Sequence, residues 1–181
     1  MSTLPITVIT PSLPERSAER NFAIASVLAQ SLQPAEHLVL LDYQRVGGHR
    51  PLNVLAQAVQ TEWMQILCDD DALLPNHFEQ LWPLCADADI VFSPALLLGD
   101  APWEGYNEAF DGNLLRTKSI VPHNALVRTE MFKKVGGWTQ ESGYDWTFWI
   151  RCLDAGARFA RYPEKTWIYD LRDHVVHESR L

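Results

Sequence analysis

The sequence predicts an α/β fold, one layered domain around a mixed, mainly parallel central sheet. Three observations predict it. In the first half, short β-branched or aliphatic runs alternate with stretches of helical apolar spacing, the pattern of successive βα units. After about residue 94 the elements become short and mixed, which suits a partly antiparallel second half. The 181 residues are 47% hydrophobic, enough for one substantial core and too apolar for intrinsic disorder.

Ile6-Thr7-Val8-Ile9 is a β-branched run stopped by Thr10-Pro11-Ser12, a buried strand ending in a turn. From Ser17 to Gln33, Phe22, Ala25, Ala29 and Leu32 recur at helical spacing, and Pro34 ends the helix. His37 to Leu41 reads as a second strand with Asp42 at its C-terminal end, where open α/β sheets place ligand groups. The Gly47-Gly48 turn and Pro51 open a second helix over 51–60, carrying Leu52, Leu55, Ala56 and Val59. Trp63 to Leu67 is a third strand running straight into Asp69-Asp70-Asp71. Asn76 with Glu79 resembles a capping box, and Phe78, Leu81, Trp82 and Cys85 line the helix that follows.

Asp89 to Ser93 reads as a fourth strand. From Pro94 to Pro122, Gly99, Pro102, Gly105 and Gly112 break any long element, so this segment is expected to be an irregular loop, functional or mobile. A strand follows at 125–127, then a short helix capped by Thr129 and closed by Gly136-Gly137. A last helix carries Trp146, Trp149, Ile150 and Leu153, and 159–162 and 167–169 read as short closing strands.

Composition narrows the function classes. There are 23 acids against 15 bases, a net charge of −8, and the pI is about 5.1; this gives no support to a protein that coats phosphate backbones. Cys68, Cys85 and Cys152 are widely spaced and odd in number, so neither a disulfide framework nor a CxxC metal site is indicated. With no basic start, signal-like apolar core or spanning run, a cytoplasmic protein is the expectation. Seven of the 19 aromatic residues are Trp. Trp63, Trp82 and Trp149 read as core, whereas Trp103 and Trp138 are candidates for stacking on a ring or for packing. Thr10-Pro11-Ser12 after the first strand is neither a GxGxxG nor a P-loop.

Three consecutive carboxylates at a strand end repel one another and need a counter-charge. A hard divalent cation, Mg2+ or Mn2+, supplies one and keeps positions open for phosphates. An isolated Asp-Asp-Asp reads equally well as a solvated acidic turn opening a helix.

The order of the pieces points further. Thr7 to Ser12, Ser26 to Ser31, Leu40-Leu41-Asp42 and Asp69 to Pro75 resemble, in sequence, the nucleotide-binding half of family 2 (GT-A) glycosyltransferases. Asn124 to Arg128, Phe132 to Trp138 and Asp145 to Arg151 resemble that family's acceptor-side segment. The resemblance covers about residues 5–175 and implies one GT-A, Rossmann-like domain over 1–181, with a nucleotide-sugar half (1–93) and an acceptor half (94–181).

The resemblance implies a metal-dependent, inverting glycosyltransferase that moves a sugar from a nucleotide diphosphate, commonly a UDP-sugar, to an acceptor hydroxyl on a glycan, protein or modified nucleobase. Pro11, Asp42 (for the nucleobase), Asn53 and Asp69 match donor-binding positions. Where the family has Arg-Asn, this chain has Leu52-Asn53, so Arg50 or His49 is the candidate phosphate cation. Asp70 is the first metal ligand by the match, with Asp71 and His174 completing the set. Cys68 stands where the family's first Asp falls, and His177 is the alternative to His174. Asp145 matches the catalytic base, preceded here by Tyr144 instead of Glu. His123, closing the 94–122 segment, is a further candidate to face the site. Cys68, Tyr144 and the short chain keep open a non-catalytic nucleotide-sugar-binding or assembly module; acceptor choice would fall to 94–122, the C-terminal tail or a partner chain, and a homo-oligomer is left open.

Overall fold

In the computed structural model, which describes residues 3–47, 49–100, 103–140 and 143–172, nine strands and six helices follow one another in mixed order. The first half runs β1 (Leu4–Ser12), α1 (Ser17–Leu28), β2 (Pro34–Leu41), α2 (His49–Ala58), β3 (Trp63–Ile66), β4 (Ala72–Leu73) and α3 (His77–Leu81), followed by a 3-10 turn. The second half runs β5 (Ile90–Phe92), β6 (Ala95–Leu98), α4 (Gly112–Leu115), β7 (Leu126–Arg128), α5 (Thr129–Val135), α6 (Tyr144–Asp154), β8 (Phe159–Arg161) and β9 (Trp167–Asp170).

Six strands form the main sheet in the order β2-β1-β3-β7-β5-β8. Strand β1 pairs in parallel with both β2 and β3, β5 pairs in parallel with β8, and β7 runs antiparallel between β3 and β5. Five strands therefore share one direction, as the mixed, mainly parallel expectation required. Because β2 lies on one side of β1 and β3 on the other, strand order reverses at β1, and a crevice opens at the carboxyl ends of β1 and β3. A second sheet, β4-β9-β6, stands against that edge and begins directly after the acidic triplet.

Alternation along the strands supplies two cores. Ile9, Met64 and Ile66 face Leu52, Leu55, Phe132, Trp138, Phe148 and Trp149 of the α2, α5 and α6 layer. Ile6, Val8 and Trp63 face Val27, Phe78, Leu81 and Trp167 on the other side. Each fully buried side chain of this size contributes about 1.5–3 kcal/mol, so the two layers fix the sheet and hence the crevice. A buried polar relay crosses the second core. The His77 ring joins the Gln65 amide (2.9 Å) to the Thr166 hydroxyl (2.7 Å), and Thr166 meets the Ser93 hydroxyl at 2.6 Å. Burial pushes the His77 imidazole down to about 3, so it stays neutral and pins β3 to the segment entering β9.

Several local expectations change. Helix α1 stops at Leu28, not Gln33, because the buried Gln30 leaves the helix: its amide donates to the carbonyls of Ser26 and Leu74 and accepts from the Phe78 N–H. Its inward face is Ala23 and Val27, while Phe22 is 53% exposed; small Ala23 lets the helix lie close to the sheet. Asn76 makes no side-chain cap, and Glu79 instead accepts from the Ser31 hydroxyl at 2.8 Å. Thr129 is the first helical residue of α5 and donates to the Thr61 carbonyl, so it is a link to the loop before β3, not a cap. The 94–122 segment contains β6 and α4, the latter capped by Asp111.

Candidate functional site

The C-terminal edge of β1 and β3 gathers the acidic groups. Ser12 ends β1, and its hydroxyl donates to Asp69 at 2.6 Å, which closes the crevice between the two strand ends. The backbone N–H of Asp42, just past β2, donates to the Ser12 carbonyl at 2.8 Å, so Asp42 sits on the same edge. Pro11 lies one residue inside β1, opposite Leu40. Four of the residues the sequence singles out, Pro11, Asp42, Asp69 and Asp70, are thus neighbours along one sheet edge.

The triplet divides between two directions. Asp69 and Asp70 face Arg16, whose guanidinium stands 3.2 Å from Asp69 and 2.9 Å from Asp70. Burial raises the Asp69 carboxyl above its usual range, with the Ser12 hydroxyl and Arg16 working against that rise. Asp71 turns the other way and is fully buried: one oxygen meets His123 Nε2 at 2.9 Å and the other accepts from the Asp170 N–H at 3.2 Å. Burial raises its carboxyl too, opposed by His123. Burial also penalises charge on His123, but the Cys68 sulfur and the Asp71 carboxylate outweigh it and hold the imidazole proton well above the ordinary value. Asp70 and Asp71, given one shared role by the sequence, therefore occupy separate settings.

Asp70 borders a cleft of about 450 Å3 lined also by Arg16, Ala18, Glu19, Phe22, Asp170 and Arg172. Two guanidiniums and three carboxylates border it, and Arg172 forks onto Asp170 at 2.9 and 2.5 Å. Arg suits phosphate oxygens, and hard carboxylate oxygens suit Mg2+ or Mn2+. Phe22, exposed on α1, borders the same space. Arg16 and Asp170 are functional candidates that sequence reasoning missed: Arg16 sits in a charged run, Pro14 to Arg20, that carries no motif, and Asp170 reaches the cleft only through the second sheet. His174 and His177 lie outside the described residues.

The remaining candidates sit around the second helix. Arg50 is exposed in the first turn of α2. Asn53 is committed to structure: its amide donates to the Trp138 carbonyl at 2.7 Å and its oxygen accepts from the Trp138 N–H at 3.0 Å. Trp138 is itself packed against Phe132 and Phe148 and is 3% exposed, so it belongs to the core. Asp145 lies in the first turn of α6, after Gly143 in the left-handed conformation. The neighbouring Tyr144 ring lies 6.4 Å from the His49 ring, which brings the N-terminus of α6 to the start of α2. Trp103 remains partly exposed on Tyr106 and Tyr169. It borders a second hollow of about 410 Å3 with Glu104, Asn107, Glu108 and Lys118.

Comparison with known proteins bears on the fold. The sequence matches no protein-family profile and no curated protein. Solved structures do match. Residues 1–349 of Staphylococcus aureus TarS superpose with a TM-score of 0.73 over 92% of this chain, and the complex of that protein with UDP-GlcNAc gives 0.74 over 94%, both at 14% identity. The mannosyltransferase PcManGT of Pyrobaculum calidifontis, in complex with GDP-Man and Mn2+, gives 0.72 over 97% of this chain at 14% identity. The chain spans 60% of the TarS chains and 59% of the mannosyltransferase. The fold is therefore that of the GT-A glycosyltransferases.

Proposed function

We propose that this domain is a glycosyltransferase that takes a sugar from a nucleotide diphosphate, a UDP-sugar in the first instance, and passes it to an acceptor hydroxyl with inversion. The observation that carries this reading is the cleft at the carboxyl ends of β1 and β3, where Asp70, Arg16, Asp170 and Arg172 meet. Open α/β sheets bind nucleotides at such a switch point, and paired guanidiniums suit a diphosphate.

In this reading the uracil rests near Asp42 and Pro11, and Asp69, buttressed by Ser12, holds the strand ends at the spacing the donor needs. The oxygen ligands that border the cleft fit a hard cation, so Asp70 would be the first ligand of Mn2+ or Mg2+, with His174 as the partner implied by the sequence. Such an ion would stabilise the charge of the departing diphosphate. Asp71 stands behind this set because His123 and Asp170 engage its two oxygens. Arg16 would leave Asp70 and turn to the diphosphate, joined by Arg172 and Arg50. Asp145 accepts the proton of the acceptor hydroxyl as that oxygen attacks the anomeric carbon opposite the leaving diphosphate. The hollow under Trp103, with carboxylate and amide groups around an aromatic face, is the proposed acceptor surface. The three free thiols agree with a reducing, cytoplasmic setting.

A screen of nucleotide sugars by thermal shift with Mn2+ tests the reading. A donor at a hundred times its dissociation constant stabilises by about 2.7 kcal/mol, a rise of roughly 5–10 °C for a chain of this size, and no rise with any nucleotide sugar would overturn the donor class. A second reading, a non-catalytic binding module, is favoured by Cys68 at the motif position and by Arg16 already neutralising Asp69 and Asp70. Release of UDP from a bound donor separates the two, because a binding module gives none.

A further inference from the structure

The turn after β3 and the segment before β7 bring three unlike donor atoms together on the inner side of the acidic triplet. Cys68 Sγ, a carboxylate oxygen of Asp71 and a ring nitrogen of His123 all lie within 4.8 Å of one another. The transfer chemistry proposed above uses neither Cys68 nor His123. We propose that Cys68, Asp71 and His123 form a binding site for a thiophilic divalent cation of the Zn2+ class, separate from the hard-cation position at Asp70.

The donor set decides the class of metal. Sulfur and imidazole favour Zn2+ over Mg2+ and Mn2+, which take oxygen. Four-coordinate zinc holds its ligand atoms about 3.5 Å apart, so a set already within 4.8 Å closes by small side-chain rotations. Three protein ligands leave a fourth position for water or a bound molecule, the pattern of an open zinc site.

The surroundings hold the ligands in place. The Asp170 N–H fixes one oxygen of Asp71 at 3.2 Å while the other oxygen meets His123. The His123 ring is set by edge contacts with Trp167 and Tyr169, whose centroids lie 5.5 and 5.8 Å away. Such outer contacts orient first ligands in metal sites. Asp71 is fully buried, and Cys68 is partly exposed, which provides a way in. The site stands independently of the glycosyl-transfer reading.

The test titrates the purified chain, stripped by chelator, with Co2+ as an optical probe and then with Zn2+ alone. The expected result is one equivalent of Co2+, with the thiolate-to-metal charge-transfer band and the visible bands of a four-coordinate ion, both removed by one equivalent of Zn2+. Absence of the thiolate band in the wild-type chain overturns the proposal. Cys68→Ser should abolish the band, and His123→Gln should weaken Zn2+ binding by more than about tenfold. Asp70→Ala and Cys85→Ser should leave both unchanged. Retention of the band by Cys68→Ser, or its loss in Cys85→Ser, also overturns the proposal. Should a variant misfold by circular dichroism, alkylation mapping of the wild-type chain decides: protection of Cys68 by Zn2+ supports the site, and protection elsewhere or nowhere refutes it. Loss of Mn2+-dependent donor binding in Asp70→Ala with the cobalt band intact separates this site from the donor reading.

Discussion

Arg16 donates a 2.9 Å charge-assisted hydrogen bond to Asp70, and this one contact links the first helix to the turn after β3. It also supplies, from the protein itself, part of the counter-charge that three adjacent carboxylates demand. The side chains are 32% and 17% exposed, so the pair is worth about 0.5–1 kcal/mol after solvent screening. Replacing Arg16 by Gln therefore removes this competing counter-charge from Asp70. Mn2+ affinity in the absence of donor, read by electron paramagnetic resonance, should rise about two- to fivefold, while affinity for the nucleotide diphosphate falls. Unchanged or weaker Mn2+ binding would refute this competition.

Asp145 stands in the first turn of α6, next to Tyr144, whose ring meets His49 at the start of α2. In the proposed role of general base it would contribute about 100- to 10,000-fold to the rate. Asp145→Asn should keep donor affinity within about twofold and lower kcat by at least a hundredfold. A variant with wild-type kcat would remove Asp145 from the chemistry.

His77 gives the fold a pH dependence. Its imidazole falls from 6.5 to about 3 because burial penalises the charged form. The unfolded chain thus binds this proton first, so the stability present above about pH 6.5 is lost progressively as the pH falls towards 3. At about pH 5 the loss from this group is roughly 2 kcal/mol. Urea denaturation of the wild type at about pH 7 and pH 5 should show it, and His77→Gln should show a smaller difference between the two conditions. Equal pH dependence in both proteins would exclude His77 as the source.

Gly137 closes the clamp on Trp138. At φ +77° a Cβ there would stand 2.7 Å from Asn53 Oδ1 and 2.9 Å from Phe132, whereas at Gly136, φ +79°, it would meet nothing within 4 Å. Gly136→Ala should cost about 1–2 kcal/mol for the left-handed backbone alone. Gly137→Ala should cost about 1–3 kcal/mol more, as overpacking against a hydrogen-bonded amide. Equal losses on urea unfolding would show that the Asn53 clamp is not tight.

Much of this fold is legible in the chain because β1, β2, β3 and α2 rest on local periodicity. Leu52, Leu55, Ala56 and Val59 show helical spacing and are all buried as that spacing requires. Where the sequence misleads, a tertiary contact overrides a local rule. Gln30 ends α1 early through bonds to Leu74 and Phe78, and Glu79 turns from its expected cap to Ser31. Strand β4 is two residues long, too short for any periodicity, yet it fixes where β9 brings Asp170 and Arg172. The acidic triplet is equally visible in the sequence, but its division is not: which carboxylate faces Arg16 and which faces His123 depends on residues 54 positions before Asp70 and 52 after Asp71.

In the proposed function, Asp70 joins a divalent cation to a nucleotide-sugar diphosphate at the carboxyl edge of β1 and β3. Isothermal titration of UDP-sugars into the wild type and Asp70→Ala, each with and without Mn2+, tests it most directly. Mn2+-dependent binding is expected of the wild type, and its loss, by at least about tenfold, of the variant. Full-strength, Mn2+-dependent binding by Asp70→Ala would contradict it.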